Sequence, residues 1–374
     1  MVRVTDAVPD GGSRAVSGAG ADAEPGATAA QPRRAVRFAG LARSAGSCAI
    51  LVTAAALVAV LVGTTVTEPA PILGLTAGPL VRYGIPVTRV LVDLAAVAAA
   101  GLGILAKLLG FDRPDDTEPA MVPARRAAVW ACAVWALAAL ASIVLLAAEL
   151  DPGRALTLAA VWSYIGSIAA GKGLAVSAGC ALVSWWLARL AVRYGERVPA
   201  ELRAGVALFG LLPLPLTGHA TNWRYHDLSM ISMELHVVAA AAWAGGLAAV
   251  VLLLARRPSL LAVALPRFSA LATWCVVVVG LTGLANGLLE LALSPITTLP
   301  DSLVTTRYGV LVLAKALCLA VVAVIAIRVR RRILPAVTDG RRTAFAAWCG
   351  WELAVLAVAY GVAVVLTRAA VTPF

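Results

Sequence analysis

The chain has 374 residues, of which 61% are apolar and 14% charged, and its mean hydropathy is +0.90. Soluble domains carry about 25% charged and about 45–50% apolar residues, so this composition excludes an ordinary soluble fold and indicates a membrane protein. The net charge is +11, but no nucleic-acid-binding motif accompanies it, so we predict no nucleic-acid partner. Six cysteines are scattered singly through apolar stretches, which indicates core residues rather than a disulfide or zinc framework: Cys48, Cys132, Cys180, Cys275, Cys318 and Cys349.

The amino-terminal 44 residues differ from the rest of the chain. Residues 1–44 are rich in Gly, Ala, Pro, Asp and Arg without hydrophobic periodicity, which predicts a disordered cytoplasmic tail. The apolar run at 46–66 is longer than the core of a signal peptide and follows a long polar stretch, so we predict a membrane-spanning helix there. We therefore expect a membrane domain over 45–368 and a short extracytoplasmic tail over 369–374.

Apolar runs long enough to cross a bilayer predict an all-α, polytopic transmembrane bundle of about nine helices. The fifth run is short and contains Pro213 and Pro215, which weaken a helix. Between the third and fourth runs, Arg154–Gly166 contains Trp162 and Tyr164 and is typical of an interfacial segment. The predicted spans are 46–66, 85–109, 127–149, 169–190, 202–218, 228–254, 269–293, 307–328 and 344–367.

Basic residues between these spans predict the orientation. If the amino-terminal tail is cytoplasmic, the inner side collects 21 Lys and Arg and the outer side only five. Loops on the cytoplasmic side of bacterial membrane proteins are enriched in Lys and Arg. We therefore predict a multi-pass membrane protein with its amino terminus inside and its carboxyl terminus outside.

Several ionisable side chains fall within the spans, where each costs about 2.5–3.5 kcal/mol on insertion and usually faces an internal cavity. Arg89 and Asp93 are four residues apart in the second span, which predicts an ion pair. Lys107 and Glu352 lie near inner ends. The other intramembrane polar residues lie in the outer half: Glu234, Asn286 and Lys315. This one-sided distribution predicts an outward-facing vestibule; the alternative is that each charge is neutralised by a neighbour or reaches the headgroups.

All three histidines of the chain fall within 18 residues, together with two of the three methionines other than the initiator. A single membrane histidine or methionine is more often a packing residue, so the prediction depends on their concentration. Imidazole suits copper and zinc, and thioether sulfur favours Cu(I), which indicates copper. We predict a metal site formed by His219, His226 and His236, with Met230 and Met233 as auxiliary ligands on adjoining helical turns.

The stretch around these histidines resembles the copper resistance protein D (CopD) family of bacterial membrane proteins. The likeness is most specific over 217–247 and extends diffusely over about 80–368. Its motifs are Thr217-Gly218-His219-Ala220, His226-Asp227-Leu228, His236, Trp243-Ala244-Gly245-Gly246-Leu247, Arg89-Val90-Leu91-Val92-Asp93-Leu94, Arg267-Phe268-Ser269, Gly283-Leu284-Ala285-Asn286, Tyr308-Gly309 with Lys315, and Arg330-Arg331-Arg332 with Pro335 and Glu352.

The resemblance implies copper uptake or copper delivery at the cytoplasmic membrane. Partners would be copper ions, membrane lipid and an extracytoplasmic copper chaperone or oxidase-assembly protein. No nucleotide-binding loop or phosphorylated-Asp motif is present in the sequence, so we expect passive or coupled movement and no enzymatic activity. Two alternatives stay open: a haem-binding electron-transfer protein with histidine axial ligands, and a non-catalytic oxidase-assembly scaffold.

Overall fold

The structure is a computed structural model that describes residues 50, 52–64, 78–150, 155–217, 226–294, 298–341, 343–369 and 371. Within these ranges the fold is helical and contains no β-strand. The predicted tail at 1–44 lies outside the described residues. In chain order, the helices are α1 (Val52–Thr64), α2 (Pro79–Leu109), α3 (Pro114–Leu150), α4 (Leu158–Ser167), α5 (Ala169–Tyr194), α6 (Ala200–Phe209), α7 (His226–Leu254), α8 (Pro258–Leu293), α9 (Ser302–Thr305), α10 (Arg307–Arg328), α11 (Leu334–Thr338) and α12 (Phe345–Leu366).

Seven helical segments in the described part of the chain are long and apolar enough to cross a membrane. They are α2, α3, α5, α7, α8, the continuous helix from α10 to α11, and α12. Each coincides with one predicted span, which confirms an all-helical, multi-pass membrane protein. Helices α3 and α8 begin at Pro114 and Pro258, more than ten residues before the predicted spans. Proline is favoured in the first helical turn, where its missing N–H would have no partner.

The predicted fifth span, 202–218, is interrupted. Helix α6 has ten residues and ends at Phe209, and a turn and a 3-10 segment, Leu214–Thr217, follow it. The helix stops because Pro213 and Pro215 have no N–H to donate to the carbonyl groups one turn earlier.

The interrupted segment nevertheless follows α2 through the bundle. A Cβ added to Gly103 would lie 3.0 Å from the Cα atom of Ala204, and Arg89 donates a hydrogen bond to the carbonyl oxygen of Leu214. Gly103 and Arg89 are 14 residues apart in α2, which is about 21 Å at 1.5 Å per residue. The polypeptide from α6 to Leu214 therefore covers most of the thickness of a bilayer core, about 30 Å.

Helix α1, the described part of the predicted first span, has 13 residues and packs beside α12. A Cβ on Gly361 would lie 2.5 Å from the Cβ of Ala59, and one on Gly63 would lie 2.3 Å from Cγ2 of Val365. Because residue numbers increase together along both helices at these contacts, α1 and α12 run in the same direction.

Basic residues gather at one end of the bundle, the arginine-rich side, where α2, α5 and α10–α11 end and α3, α6, α8 and α12 begin. Arg125 and Arg203 are almost fully buried there, and both bind Glu196 at 2.8 Å. Arg267 donates to the carbonyl of Leu108 at 3.1 Å. These contacts bring together the loop ends that the distribution of basic residues placed on one side.

At the other end, the histidine side, α7 begins and α3 and α12 end. Glu149 of α3 and Arg368, just after α12, form an ion pair there. The predicted interfacial segment contains α4, whose first turn is capped by the hydroxyl of Thr157 accepting from the amide of Ala160 at 3.2 Å.

The centre of the bundle is a close crossing of α2 and α7. A Cβ added to Gly101 would lie 2.1 Å from the carbonyl carbon and oxygen of Gly245. Small residues at helix interfaces let backbones approach closely within a membrane, where apolar side chains gain little by leaving lipid. The cysteines fit their predicted packing role: of the five in the described residues, Cys132, Cys275 and Cys349 are buried and all are free thiols.

Candidate functional site

A buried imidazole joins three helices. His236 of α7 is 7% exposed. Its Nδ1 lies 3.0 Å from Oγ1 of Thr282 on α8, and its Nε2 lies 3.4 Å from Nζ of Lys315 on α10. The sequence predicted His236 as a metal ligand and Lys315 as an intramembrane cation. The fold brings these two side chains together.

The surrounding hydrogen bonds determine the tautomer of His236. The Thr282 hydroxyl donates its one proton to the carbonyl oxygen of Val278, a residue four positions earlier in α8. Thr282 Oγ1 can then only accept from the imidazole, so Nδ1 carries a proton. The lone pair of Nε2 faces Lys315, whose amine donates to it. An imidazole held through Nδ1–H with Nε2 available is the arrangement found in many metal-ligating histidines.

The polar contacts continue from His236 toward the histidine side. Ser232, four residues earlier on the same face of α7, accepts from Nδ2 of Asn286 at 3.1 Å. Oδ1 of Asn286 is buried and has no hydrogen-bond partner among the described residues. A buried acceptor of this kind offers a place to a donor, a water molecule or a cation. We name Ser232, His236, Thr282, Asn286 and Lys315 the His236 cluster.

A glycine of α8 makes room for the imidazole ring. A Cβ added to Gly283 would lie 3.0 Å from Cε1 of His236 and 3.4 Å from its Nδ1. Such a contact is tighter than most Cβ contacts in proteins, so the ring would have to shift by a few tenths of an ångström if this residue were larger. The Gly283-Leu284-Ala285-Asn286 motif therefore contributes both the space for the ring and, through Asn286, a polar neighbour.

Met230 and Met233 lie about 60° apart around α7, with Met233 nearer to His236. The helix is continuous from His226 to Leu254, so at 100° per residue Met233 lies about 60° from His236 and Met230 about 120°. Met233 is thus the sulfur nearer to the imidazole face, and both side chains are partly buried. Glu234 lies about 160° from His236, on the opposite side of α7, and is not part of the His236 cluster.

The structure does not describe the side chains of the other two predicted ligands, His219 and His226. His219 lies in 218–225, outside the described residues, and His226 is the first residue of α7 but its side chain is also outside the description. Among the described residues, no three His, Cys, Asp or Glu side chains converge as a metal site. Convergence of the three histidines stays a prediction.

The predicted ion pair between Arg89 and Asp93 is present. Arg89 Nε lies 3.1 Å and 3.2 Å from the two carboxylate oxygens, and both guanidinium NH₂ groups lie 3.4 Å from the carbonyl oxygen of Leu214. Leu214 is the first residue of the 3-10 segment that follows α6. Arg89 therefore fastens the chain four residues before the segment that contains His219.

The sequence analysis missed the partners of its polar residues. Thr282 and Ser232 carry no charge and are common in membrane helices, so no sequence signal distinguishes them. Trp243 donates from Nε1 to Glu352 at 3.3 Å, and the two are 109 positions apart in the chain. Their membership in the quoted motifs is the one signal that drew attention to both residues.

Comparison with known proteins connects this architecture to a family. Residues 80–227 match the family model described as "Copper resistance protein D-like, N-terminal domain", and residues 262–366 match "Copper resistance protein D". Most of α7, with His236 and Trp243, lies between the two matched segments. No curated protein matches the chain, and no solved structure matches it. The two matches cover α2 to α6 and then α8 to α12 in the family's order, and the chain belongs to the copper resistance protein D family.

Proposed function

We propose that this copper-resistance membrane protein takes up or delivers copper ions across the cytoplasmic membrane through the predicted site at His219, His226 and His236, with Met230 and Met233 as auxiliary ligands. The observation that carries the proposal is the orientation of His236. Its Nδ1 is fixed by Thr282, which leaves Nε2 as the nitrogen that meets a metal. The family supplies copper as the metal.

Lys315 determines when His236 can bind. Its amine lies 3.4 Å from Nε2, within the space that a copper ion would need. A cationic amine and a copper ion repel each other at this distance, so Lys315 must turn away as copper binds. We infer that Lys315 occupies the cation position in the empty protein and sets the affinity of the site.

The uncharged side chains near His236 favour a monovalent, soft ion. Ser232 and Asn286 present neutral oxygen and nitrogen atoms beside the cluster, and Met233 presents sulfur about 60° from the imidazole. Cu(I) prefers imidazole and thioether ligands and needs few of them. We therefore propose Cu(I) as the ion that passes His236.

Copper binding to the purified full-length protein in nanodiscs tests the proposal. We expect His236→Ala to reduce Cu(I) affinity about tenfold or more, as for loss of a ligand or of its orienting partner. Met233→Leu should weaken Cu(I) more than Zn(II), and Lys315→Leu, which removes the charge without adding a ligand, should strengthen Cu(I) binding. Thr273→Ala, on α8 away from the cluster, is the control. Unchanged copper content in the variant lacking all three histidines would exclude the proposed site.

The same preparation distinguishes the haem alternative. The described residues include one histidine side chain, that of His236, so they show no pair of axial histidines. A haem protein would show a Soret absorption band that disappears in His236→Ala. A stoichiometric haem in the parent protein would overturn the copper proposal.

The orientation of the protein is a separate proposal. The arginine-rich side is assigned to the cytoplasm because Lys and Arg predominate in cytoplasmic loops. The histidine side then faces outward, where an extracytoplasmic chaperone or oxidase-assembly protein would exchange copper. An introduced cysteine at Asn222 should react with an impermeant thiol reagent added to whole cells, and labelling only after the cells are opened would reverse the topology.

A further inference from the structure

A second intramembrane group lies apart from the His236 cluster. Glu352 of α12 is 3% exposed, and its hydrogen-bond partner among the described residues is Trp243, whose Nε1 donates to Oε1 at 3.3 Å. Trp243 is itself 1% exposed. The carboxyl group is therefore enclosed between α7 and α12, with a neutral donor on one oxygen.

The surroundings of Glu352 are apolar. Cys349 and Leu353, beside Glu352 along α12, and Leu247, one turn after Trp243 in α7, all belong to the buried core and are less than 5% exposed. Among the described residues, no Lys, Arg or His nitrogen lies within the 4.0 Å of an ion pair with its carboxylate, although Arg89, Arg125 and Arg368 pair with carboxylates elsewhere. An ionised carboxylate here would lack the charge partner that makes burial tolerable.

The position of Glu352 along α12 places it inside the membrane. It is seven residues from the start of the helix at Phe345, or about 10 Å. Its partner Trp243 is 11 residues from the end of α7, or about 16 Å. Both distances lead to the arginine-rich side, so this is the nearer aqueous boundary for the carboxyl group.

The donor set around Glu352 suits a proton better than a metal ion. Hard cations need several oxygen ligands, whereas the hydrogen-bond partner of Glu352 among the described residues is an indole N–H, which cannot ligate a cation. No trio of His, Cys, Asp or Glu side chains forms around it in the described part of the chain. A proton, in contrast, needs only the carboxyl group itself.

We propose that Glu352 is an intramembrane proton-binding site, holding a carboxylic acid to whose carbonyl oxygen Trp243 donates, and exchanging its proton with the arginine-rich side when α7 and α12 separate. Protonation joins one proton from water to the carboxylate, and release returns it. The inference does not depend on copper at His236. A protein that moves a cation through the same bundle would be able to exchange that cation for the proton bound at this site.

Infrared spectroscopy of the full-length protein in nanodiscs at neutral pH tests the proposal. The parent protein should show the C=O stretching band of a protonated acid, shifted in D₂O, and Glu352→Gln should lose it. Glu352→Asp should keep a protonated-acid band at a changed frequency. Trp243→Phe, which retains the carboxyl group, should move the band to higher frequency because the carbonyl oxygen loses its hydrogen bond.

The control is Glu149→Gln, since Glu149 is ion-paired with Arg368 and should contribute a carboxylate band only. A protonated-acid band that is identical in the parent, Glu352→Gln and Trp243→Phe proteins would overturn the proposal. Loss of a carboxylate band in Glu352→Gln would overturn it too. Trp243→Phe gives the answer even where replacement of Glu352 prevents folding.

Discussion

Replacing Gly101 with alanine should separate the two helices that form the centre of the bundle. The added Cβ would lie 2.1 Å from the carbonyl carbon and oxygen of Gly245 and 2.5 Å from its Cα atom. These are backbone atoms of a buried helix, so no rotamer change relieves the overlap. Only a movement of α2 away from α7 relieves this overlap.

The size of that movement follows from the distances. A normal carbon contact begins near 3.4 Å, so the helices must separate by about 1.3 Å at the crossing, which is 3.4 minus the 2.1 Å observed. A gap of about 0.5–1 Å already removes a quarter to a half of the attraction between packed atoms. Overpacking in a well-packed core costs about 1–3 kcal/mol, and we expect Gly101→Ala to lie at the upper end.

Reversible unfolding of the purified protein in mixed micelles measures this cost. Gly179 of α5 provides a matched control, because a Cβ added there meets no heavy atom within 4 Å. Both variants make the same glycine-to-alanine change within a helix, so both have the same gain in helix propensity. Only Gly101→Ala adds the steric overlap.

The expected result is a free energy of unfolding lower by about 3 kcal/mol for Gly101→Ala than for Gly179→Ala. Gly245→Ala should resemble Gly101→Ala, because its Cβ would lie 2.2 Å from the carbonyl oxygen of Val97. Equal stability of the Gly101 and Gly179 variants would refute the close crossing of α2 and α7.

Three further predictions concern the polar groups. Arg89→Leu should destabilise more than Asp93→Asn in the same unfolding assay, because it leaves a buried carboxylate without its charge partner and also removes the two hydrogen bonds from Arg89 to the carbonyl oxygen of Leu214. The double variant should recover part of the loss, and a double variant less stable than either single would contradict the pairing. Gly283→Ala should displace the His236 ring and lower Cu(I) affinity in equilibrium binding without lowering the amount of folded protein, whereas unchanged affinity would show that the ring position is immaterial. Burial, with a smaller contribution from Glu149, raises the pKa of Tyr164 to about 12, from an ordinary value near 10. The contribution of the Tyr164 phenol to the free energy of unfolding is therefore complete below about pH 10 and is lost as the pH rises to about 12. The parent protein should lose stability more steeply across this range than Tyr164→Phe. Parallel curves of unfolding free energy against pH would exclude the contribution.

Seven predicted spans coincide with long helices among the described residues, although α3 and α8 begin more than ten residues earlier than predicted. Helix α7 begins within two residues of its prediction and α10 at the same residue, Arg307. The interrupted segment after α6 shows where the agreement ends. Two prolines predict a weak helix, but the path beside α2 depends on contacts such as Arg89 with Leu214, between residues 125 positions apart in the chain.

The candidate site was predictable only in part. The histidines and Lys315 are rare, ionisable and placed within apolar runs, so their cost in hydrocarbon makes them conspicuous. The Arg89–Asp93 pair was also accessible, since both residues lie on one helix with a four-residue spacing. Thr282, Ser232 and Gly283 are small residues that membrane helices use freely, and their importance comes entirely from what faces them.

The sequence by itself determined the membrane environment, the positions of the spans and the grouping of the basic loops. These properties depend on hydrophobic length and charge along the chain, to which the bilayer responds segment by segment. Only the tertiary structure decided that His236 meets Thr282 and Lys315, and that Trp243 meets Glu352. The reason is that lipid gives no preference for one helix rotation over another, so the close approach of small residues, above all Gly101 to Gly245, sets which faces meet.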